Sequence, residues 1–193
     1  GILRSIPGFT ILCPADGDQT KQAVIASADV DGPVYIRIGS GKEERVFPEG
    51  SPFEIGKIRV IADYGDDVAL FCHGFVTNRV LAAAEELKRS GIGATVVEVA
   101  TIKPLDAAGI AEVLGRCRCA VTVEDHNVIG GLGSAIAEVI AEGAPGAAGA
   151  RLVRLGLQDC YGESGFPDEL LDAYGMSVAD IAAAAAKARA GRP

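Results

Sequence analysis

Apolar residues along the chain follow two periods. Short aliphatic and β-branched runs at 9–12, 34–38, 59–62, 68–72, 95–99, 119–123 and 152–155 have strand length and are bounded by glycine, proline or charge. Between them, apolar positions return every three or four residues. Val76, Val80, Ala83, Ala84 and Leu87 form one such set, Ile110, Val113 and Leu114 a second, and Leu132, Ile136, Val139 and Ile140 a third. Asp16 with Gln19 resembles a capping box for a helix reaching about Ala28. Asp106 is placed to cap the helix of Ile110. Lys88 and Arg89 suit a helix C-terminus that Gly91 stops. Pro167 opens a short helix, and 178–189 form an alanine-rich terminal one. Strand and helix alternate, which predicts an α/β fold with a mostly parallel sheet covered by helices on both faces. The runs 59–62 and 68–72 flank Tyr64-Gly-Asp-Asp67 and predict a hairpin, with one antiparallel strand at the sheet edge. Residues 39–56 are rich in Gly, Pro, Ser and charge and read as an interdomain linker. The expected units are therefore 1–50 and 51–193. No internal repeat is visible.

Composition narrows the function classes. Of the 193 residues, 49% are hydrophobic, enough for a sizeable aliphatic core. The net charge of −8, with no basic cluster, argues against nucleic acid as a partner. No apolar run approaches the roughly 20 residues that span a bilayer, and no signal peptide is visible. Five irregularly spaced cysteines fit reduced thiols in the cytoplasm better than a disulfide framework. The chain begins at Gly1 and reads as a processed piece, a fragment, or part of a longer protein.

The stretch from Val121 to Ser134 carries the most chemistry. It reads as a buried strand, a polar turn, a glycine-rich bend and a helix starting near Leu132. Glu124, Asp125 and His126 thus fall at the C-terminal end of a strand, where open α/β sheets place ligands and partners. An imidazole beside carboxylates serves acid/base work or sits hydrogen-bonded in an interface. Gly131-Leu-Gly133 after a strand invites a dinucleotide site, but Ile136 stands where that fingerprint needs a third glycine, so a packing turn is the preferred reading. His73 follows another strand end; it reads as a hydrogen-bonded turn histidine or as the wall of a cleft. Two histidines and the closely spaced Cys117 and Cys119 make a poor zinc set. Gly162-Glu-Ser-Gly165 departs from the hydrolase nucleophile elbow. Arg37, Lys42 and Arg45 read as solvated loop charges or as contacts for an anionic substrate.

Several stretches together resemble the C-terminal part of the transketolase family, especially transketolases split into N- and C-terminal subunits. They are Arg4 to Asp16, Gly32 to Gly39, Ile102-Lys-Pro-Leu-Asp106, Val123-Glu-Asp-His126 with Gly130-Gly-Leu-Gly-Ser134, and Gly162-Glu-Ser-Gly165 followed by Glu169-Leu-Leu171 and Tyr174-Gly175. Their order and spacing cover nearly the whole chain.

The resemblance implies that 1–50 end a pyrimidine-binding domain and that 51–193 form the family's C-terminal domain. It implies thiamine diphosphate, with Mg²⁺ or Ca²⁺, at a dimer interface of the complete enzyme, and none bound to this chain alone. The cofactor carries the carbon chemistry, moving a two-carbon ketol unit from a ketose to an aldose, while protein binds and orients it. The family's catalytic glutamate and diphosphate-binding motif have no counterpart here. The implied partner is an N-terminal subunit or domain carrying that motif, in a homodimer or heterotetramer, acting on a sugar or sugar phosphate. The family's phosphate-binding arginine aligns with Ser40, which supplies no charge. Arg37 and Ser40 are the expected substrate contacts. Glu124, Asp125, His126, Gly130, Gly131 and Gly133 are the expected assembly residues. Rival readings are a 1-deoxyxylulose-5-phosphate synthase or 2-oxo acid dehydrogenase beta-subunit component, and a non-catalytic docking module.

Overall fold

The computed structural model describes residues 1–39 and 43–191. Five strands form the main sheet: β3 (Arg59–Asp63), β4 (Val68–Cys72), β5 (Ala94–Glu98), β7 (Cys119–Asn127) and β8 (Arg151–Leu157), in the order β3-β5-β4-β7-β8. The last four of that order run parallel, and β3 is an antiparallel edge. β4 and β5 are buried at every position, as strands covered on both faces must be. Successive residues of β4 serve opposite faces. Val68, Leu70 and Cys72 pack against α2 (Thr77–Arg89) and α6 (Val178–Ala190), while Ala69 and Phe71 pack against α3 (Ala107–Cys117) and α4 (Leu132–Ala141). The expected α/β architecture is present.

The hairpin expectation is corrected. β3 and β4 are consecutive in sequence, but β5 lies between them and β3 pairs with β5. The turn wraps the start of β5, with the N–H of Asp67 donating to the Gly93 carbonyl and the Asp67 carboxylate accepting the Gly93 N–H, both at 2.9 Å. The reason is burial. β4 and β5 are buried on both faces and need neighbours on both sides. β3 carries Arg59 and Asp63, is only half-buried, and suits an edge.

A second, three-stranded sheet runs β2-β1-β6, from β1 (Thr10–Leu12), β2 (Val34–Ile36) and β6 (Thr101–Lys103). β1 and β2 are parallel and flank α1 (Gly17–Ser27); β6 pairs antiparallel with β1. β6 was not expected, being only three residues long. β2, expected to be buried over 34–38, is shorter and half-exposed because it is the sheet's outer strand. Asp16 caps α1 through the Gln19 N–H at 2.8 Å, and its other carboxylate oxygen accepts the N–H groups of Val46 and Phe47 at 2.8 and 2.9 Å. The segment read as a linker is thus pinned there, and Phe47 is buried. No helix among the described residues is long and apolar enough to cross a membrane.

Candidate functional site

The parallel strands end along one edge of the main sheet. The end of β4 presents Cys72 and His73, and the end of β7 presents Glu124 to His126. The N-terminal turn at Ile2–Ser5, β1 and β2 close over this edge and leave a cavity of about 250 Å³. Ile11, Ile102 and Leu132 give it an apolar floor; Cys13, Arg37, His73, Glu124 and His126 bring polar groups to it.

Glu124 is fully buried. Its carboxylate accepts the N–H of Leu132 at 2.7 Å and of Gly133 at 2.8 Å, buried donors in the first turn of α4 that have no acceptor within the helix. A carboxylate there also meets the positive end of the helix dipole. Burial pushes its pKa upward and the two backbone donors pull it back. The glycine-rich bend is built around this carboxylate. A Cβ on Gly131 would lie 1.8 Å from Glu124 Oε2 and 2.9 Å from His126 Nδ1. A Cβ on Gly133 would meet Thr122 Oγ1 and Arg154 Cδ at 2.7 Å. The bend is therefore a packing turn, and Gly130, at φ +77°, supplies the left-handed step that it needs.

Asp125 receives Arg37. Nη1 donates to both carboxylate oxygens at 2.9 Å and Nη2 to the Asp125 carbonyl at 3.0 Å. His126 Nδ1 sits 2.6 Å from the Asn127 carbonyl, so the neutral ring carries its proton there and leaves Nε2 as an acceptor. That Nε2 lies 3.3 Å from the Gly1 nitrogen. Burial pushes His126 below its ordinary pKa.

His73 departs from the turn-histidine reading. It is 3% exposed, it lines the cavity, and Nδ1 has no hydrogen-bond partner among the described residues. Burial pushes its pKa down to about 4, so the ring is neutral at pH 7. The adjacent Cys13 thiol is pushed up to about 12 by burial and is protonated, not nucleophilic. Cys13, Cys72, Cys117, Cys119 and Cys160 are all free.

The structure brings Arg37, Glu124, Asp125, His126, Gly130 and Gly131 to one junction and sets Gly133 just behind it. Ser40 and Lys42 lie outside the described residues, and Arg45 is exposed. Two cations were missed in the sequence: Arg4, paired with Glu138, and Lys103, whose Nζ donates to the Arg4 and Ile6 carbonyls at 3.0 and 2.7 Å. Only the pairing of β6 with β1 could have revealed Lys103. No group of three or more His, Cys, Asp or Glu among the described residues could hold a metal ion. With Arg4 paired to Glu138 and Arg37 to Asp125, the junction ties the N-terminal segment to the main-sheet unit.

Comparison with known proteins gives the junction its context. Residues 56–181 match the family model described as transketolase, C-terminal domain. The chain is 39% identical over 184 residues to the 6-deoxy-6-sulfo-D-fructose transketolase subunit SqwH of Clostridium sp., covering 95% of this chain and 56% of that protein. It is 35% identical over 184 residues to 1-deoxy-D-xylulose-5-phosphate synthase 1 of Geobacter sulfurreducens, covering 94% of this chain and 28% of that one. A solved structure described as a split gene transketolase, inactive beta4 tetramer, superposes with a TM-score of 0.92 at 38% identity, covering 100% of this chain and 61% of that chain. The chain thus spans about half the length of the transketolase relatives it matches. Its fold and its sequence place it, as a C-terminal portion, in the transketolase family.

Proposed function

We propose that this chain is the C-terminal part of a cytoplasmic, thiamine-diphosphate-dependent transferase that moves a two-carbon ketol unit from a ketose to an aldose. It acts only with a further segment or a partner subunit that carries the diphosphate-binding motif. The likeness along the whole chain to split transketolase subunits supports this reading more than any single residue does. On it, residues 1–50 are the end of a pyrimidine-binding domain and 51–193 the C-terminal domain, joined through β6. Arg37 and Ser40 are the proposed substrate contacts. Glu124, Asp125, His126, Gly130, Gly131 and Gly133 serve assembly, His126 at the rim and Glu124 as the buried post around which the glycines turn.

The described residues do not themselves fit thiamine diphosphate. Arg4 and Arg37, the side-chain cations at the cavity among the described residues, are both held by carboxylates, so a diphosphate would find no unpaired side-chain cation there. No chemical step is assigned to them. Arg37 holds the end of β2 against the end of β7, and Arg4 holds the N-terminal turn against α4.

The test is reconstitution of the complete chain with its partner subunit and thiamine diphosphate. Ketol transfer between sugars is expected. Turnover of pyruvate would instead favour the 1-deoxyxylulose-5-phosphate synthase reading, which a named relative also supports. Neither heat of thiamine diphosphate binding nor transfer would leave a docking module. His126→Ala is expected to weaken assembly of the complete enzyme; unchanged oligomer mass and activity would remove His126 from that role.

A further inference from the structure

Glu98 is a second buried carboxylate, and it stands where α1 of the N-terminal segment meets the main sheet. It ends β5 and is 2% exposed. Its hydrogen-bond partner is Gln19, in the first turn of α1. Gln19 Oε1 already accepts the Ala15 N–H at 2.6 Å, so the amide nitrogen is the end left to donate to Glu98. The other carboxylate oxygen, Oε1, is buried with no hydrogen-bond partner among the described residues. An ionised carboxylate calls for several donors. This site offers one and keeps water out, which suits a protonated acid.

The charges around it leave that proton in place. Arg59 stands opposite Glu98 in the β3–β5 register, but its guanidinium lies over the Phe47 ring, 4.5 Å from the centroid. Asp16, at the start of α1, repels a second negative charge. Cys72, the register partner on β4, and Cys13 are thiols that burial keeps protonated. Lys57 and Glu54 line a cavity of about 220 Å³ beside Glu98. Burial above all lifts Glu98 from 4.5 to about 7.

The same residues fasten the N-terminal segment. Asp16 caps α1 and also accepts the Val46 and Phe47 N–H groups, and Phe47 lies under Arg59. Once ionised, Glu98 needs water or Arg59, and either reaches it only if Gln19 or Phe47 draws back. We infer that Glu98 is a pH-sensitive latch: protonated, it lets α1 and the Val46–Phe47 segment close on the end of β5, and ionised, it releases them. The closed form holds the proton more tightly, so its advantage is full below about pH 4.5 and is lost as pH rises through about 7. The latch does not depend on the transferase reading.

The test is amide hydrogen exchange on the complete chain, wild type and Glu98→Gln, from pH 6 to 8. Opening constants at Gln19, Val46 and Phe47 are corrected for intrinsic exchange. The ratio of wild type to variant should rise about tenfold over that range, as a group moving between about 7 and 4.5 requires. Taking the ratio cancels His73 and every other titrating group. The three amides should also exchange faster than those of Leu70 and Val96, which open only with the whole fold. Should Glu98→Gln fail to fold, wild-type protein with ¹³C-carboxyl glutamate answers instead: one glutamate should titrate near neutrality, and the Gln19 side-chain amide should shift with the same midpoint. The proposal is overturned by a ratio that stays flat from pH 6 to 8, by junction amides that exchange no faster than Leu70, or by a Gln19 amide that follows no glutamate titration.

Discussion

Arg37 and Asp125 lock the end of the outer N-terminal strand onto the main sheet across 88 residues of sequence. One guanidinium nitrogen sits between both carboxylate oxygens at 2.9 Å while the other reaches the Asp125 carbonyl at 3.0 Å. The pair joins the strand that leads to Ser40 with the strand that carries Glu124 and His126.

Removing either partner leaves a part-buried charge behind. Asp125→Ala and Arg37→Met are each expected to cost about 1–3 kcal/mol, and a double-mutant cycle should return a coupling near 1 kcal/mol or more. Urea unfolding measures both. A coupling indistinguishable from zero would mean that the pair exchanges freely with solvent, as exposed ion pairs do.

Gly131 and Gly143 separate two reasons for glycine. Gly131 has ordinary backbone, but a Cβ there would lie 1.8 Å from Glu124 Oε2. Gly143 has φ +72° with nothing within 4 Å of a Cβ. Gly131→Ala should therefore cost several kcal/mol through displacement of the Glu124 cap, whereas Gly143→Ala should cost about 1 kcal/mol of backbone strain. Chemical denaturation of the two variants ranks them; equal losses would show that the carboxylate moves aside freely.

Asp16 bonds three backbone N–H groups, those of Gln19, Val46 and Phe47, while 4% exposed. Asp16→Ala should lose about 2–4 kcal/mol, since buried donors are left without acceptors. Amide hydrogen exchange at Val46 and Phe47 should accelerate along with the first turn of α1. Exchange confined to the helix would show that the 43–47 segment is held by Phe47 burial alone.

Two buried groups impose opposite pH dependences. Burial pushes Glu98 from 4.5 up to about 7, against a hydrogen bond from Gln19 and the pull of Arg59 and with the repulsion of Asp16. The folded chain then holds this proton more tightly, so the contribution is full below about pH 4.5 and is lost as pH rises through about 7. His73 is pushed the other way, from 6.5 down to about 4. Its contribution is full above about pH 6.5 and is lost as pH falls through about 4. Each slope is about 1.4 kcal/mol per pH unit, and between roughly pH 4.5 and 6.5 they cancel. Glu98→Gln should expose a stability that rises with pH across that window, and His73→Phe one that falls. Urea midpoints at half-unit steps read both slopes; a Glu98→Gln variant with an unchanged profile would show that Glu98 titrates as an exposed carboxylate.

Much of this molecule was legible in its order of residues. The apolar runs of β4 and β5, the helical spacing of Val80, Ala83, Ala84 and Leu87, and the caps at Asp16 and Asp106 are local properties. Side-chain period, burial need and capping chemistry act over a few residues, so they place each element and the α/β class. The glycines of 130–133 likewise announced a tight turn. Partner choice is different. That β5 displaces β4 as the neighbour of β3, that β6 joins β1, and that His73 faces a cavity instead of a turn partner all depend on groups far apart in sequence. Those outcomes were decided only when two fully buried strands took the inner places of the sheet and the N-terminal strands closed over its edge. Hydrophobic pattern sets how much each segment must bury, while the packed whole sets against what, and so which polar atoms find partners across the junction.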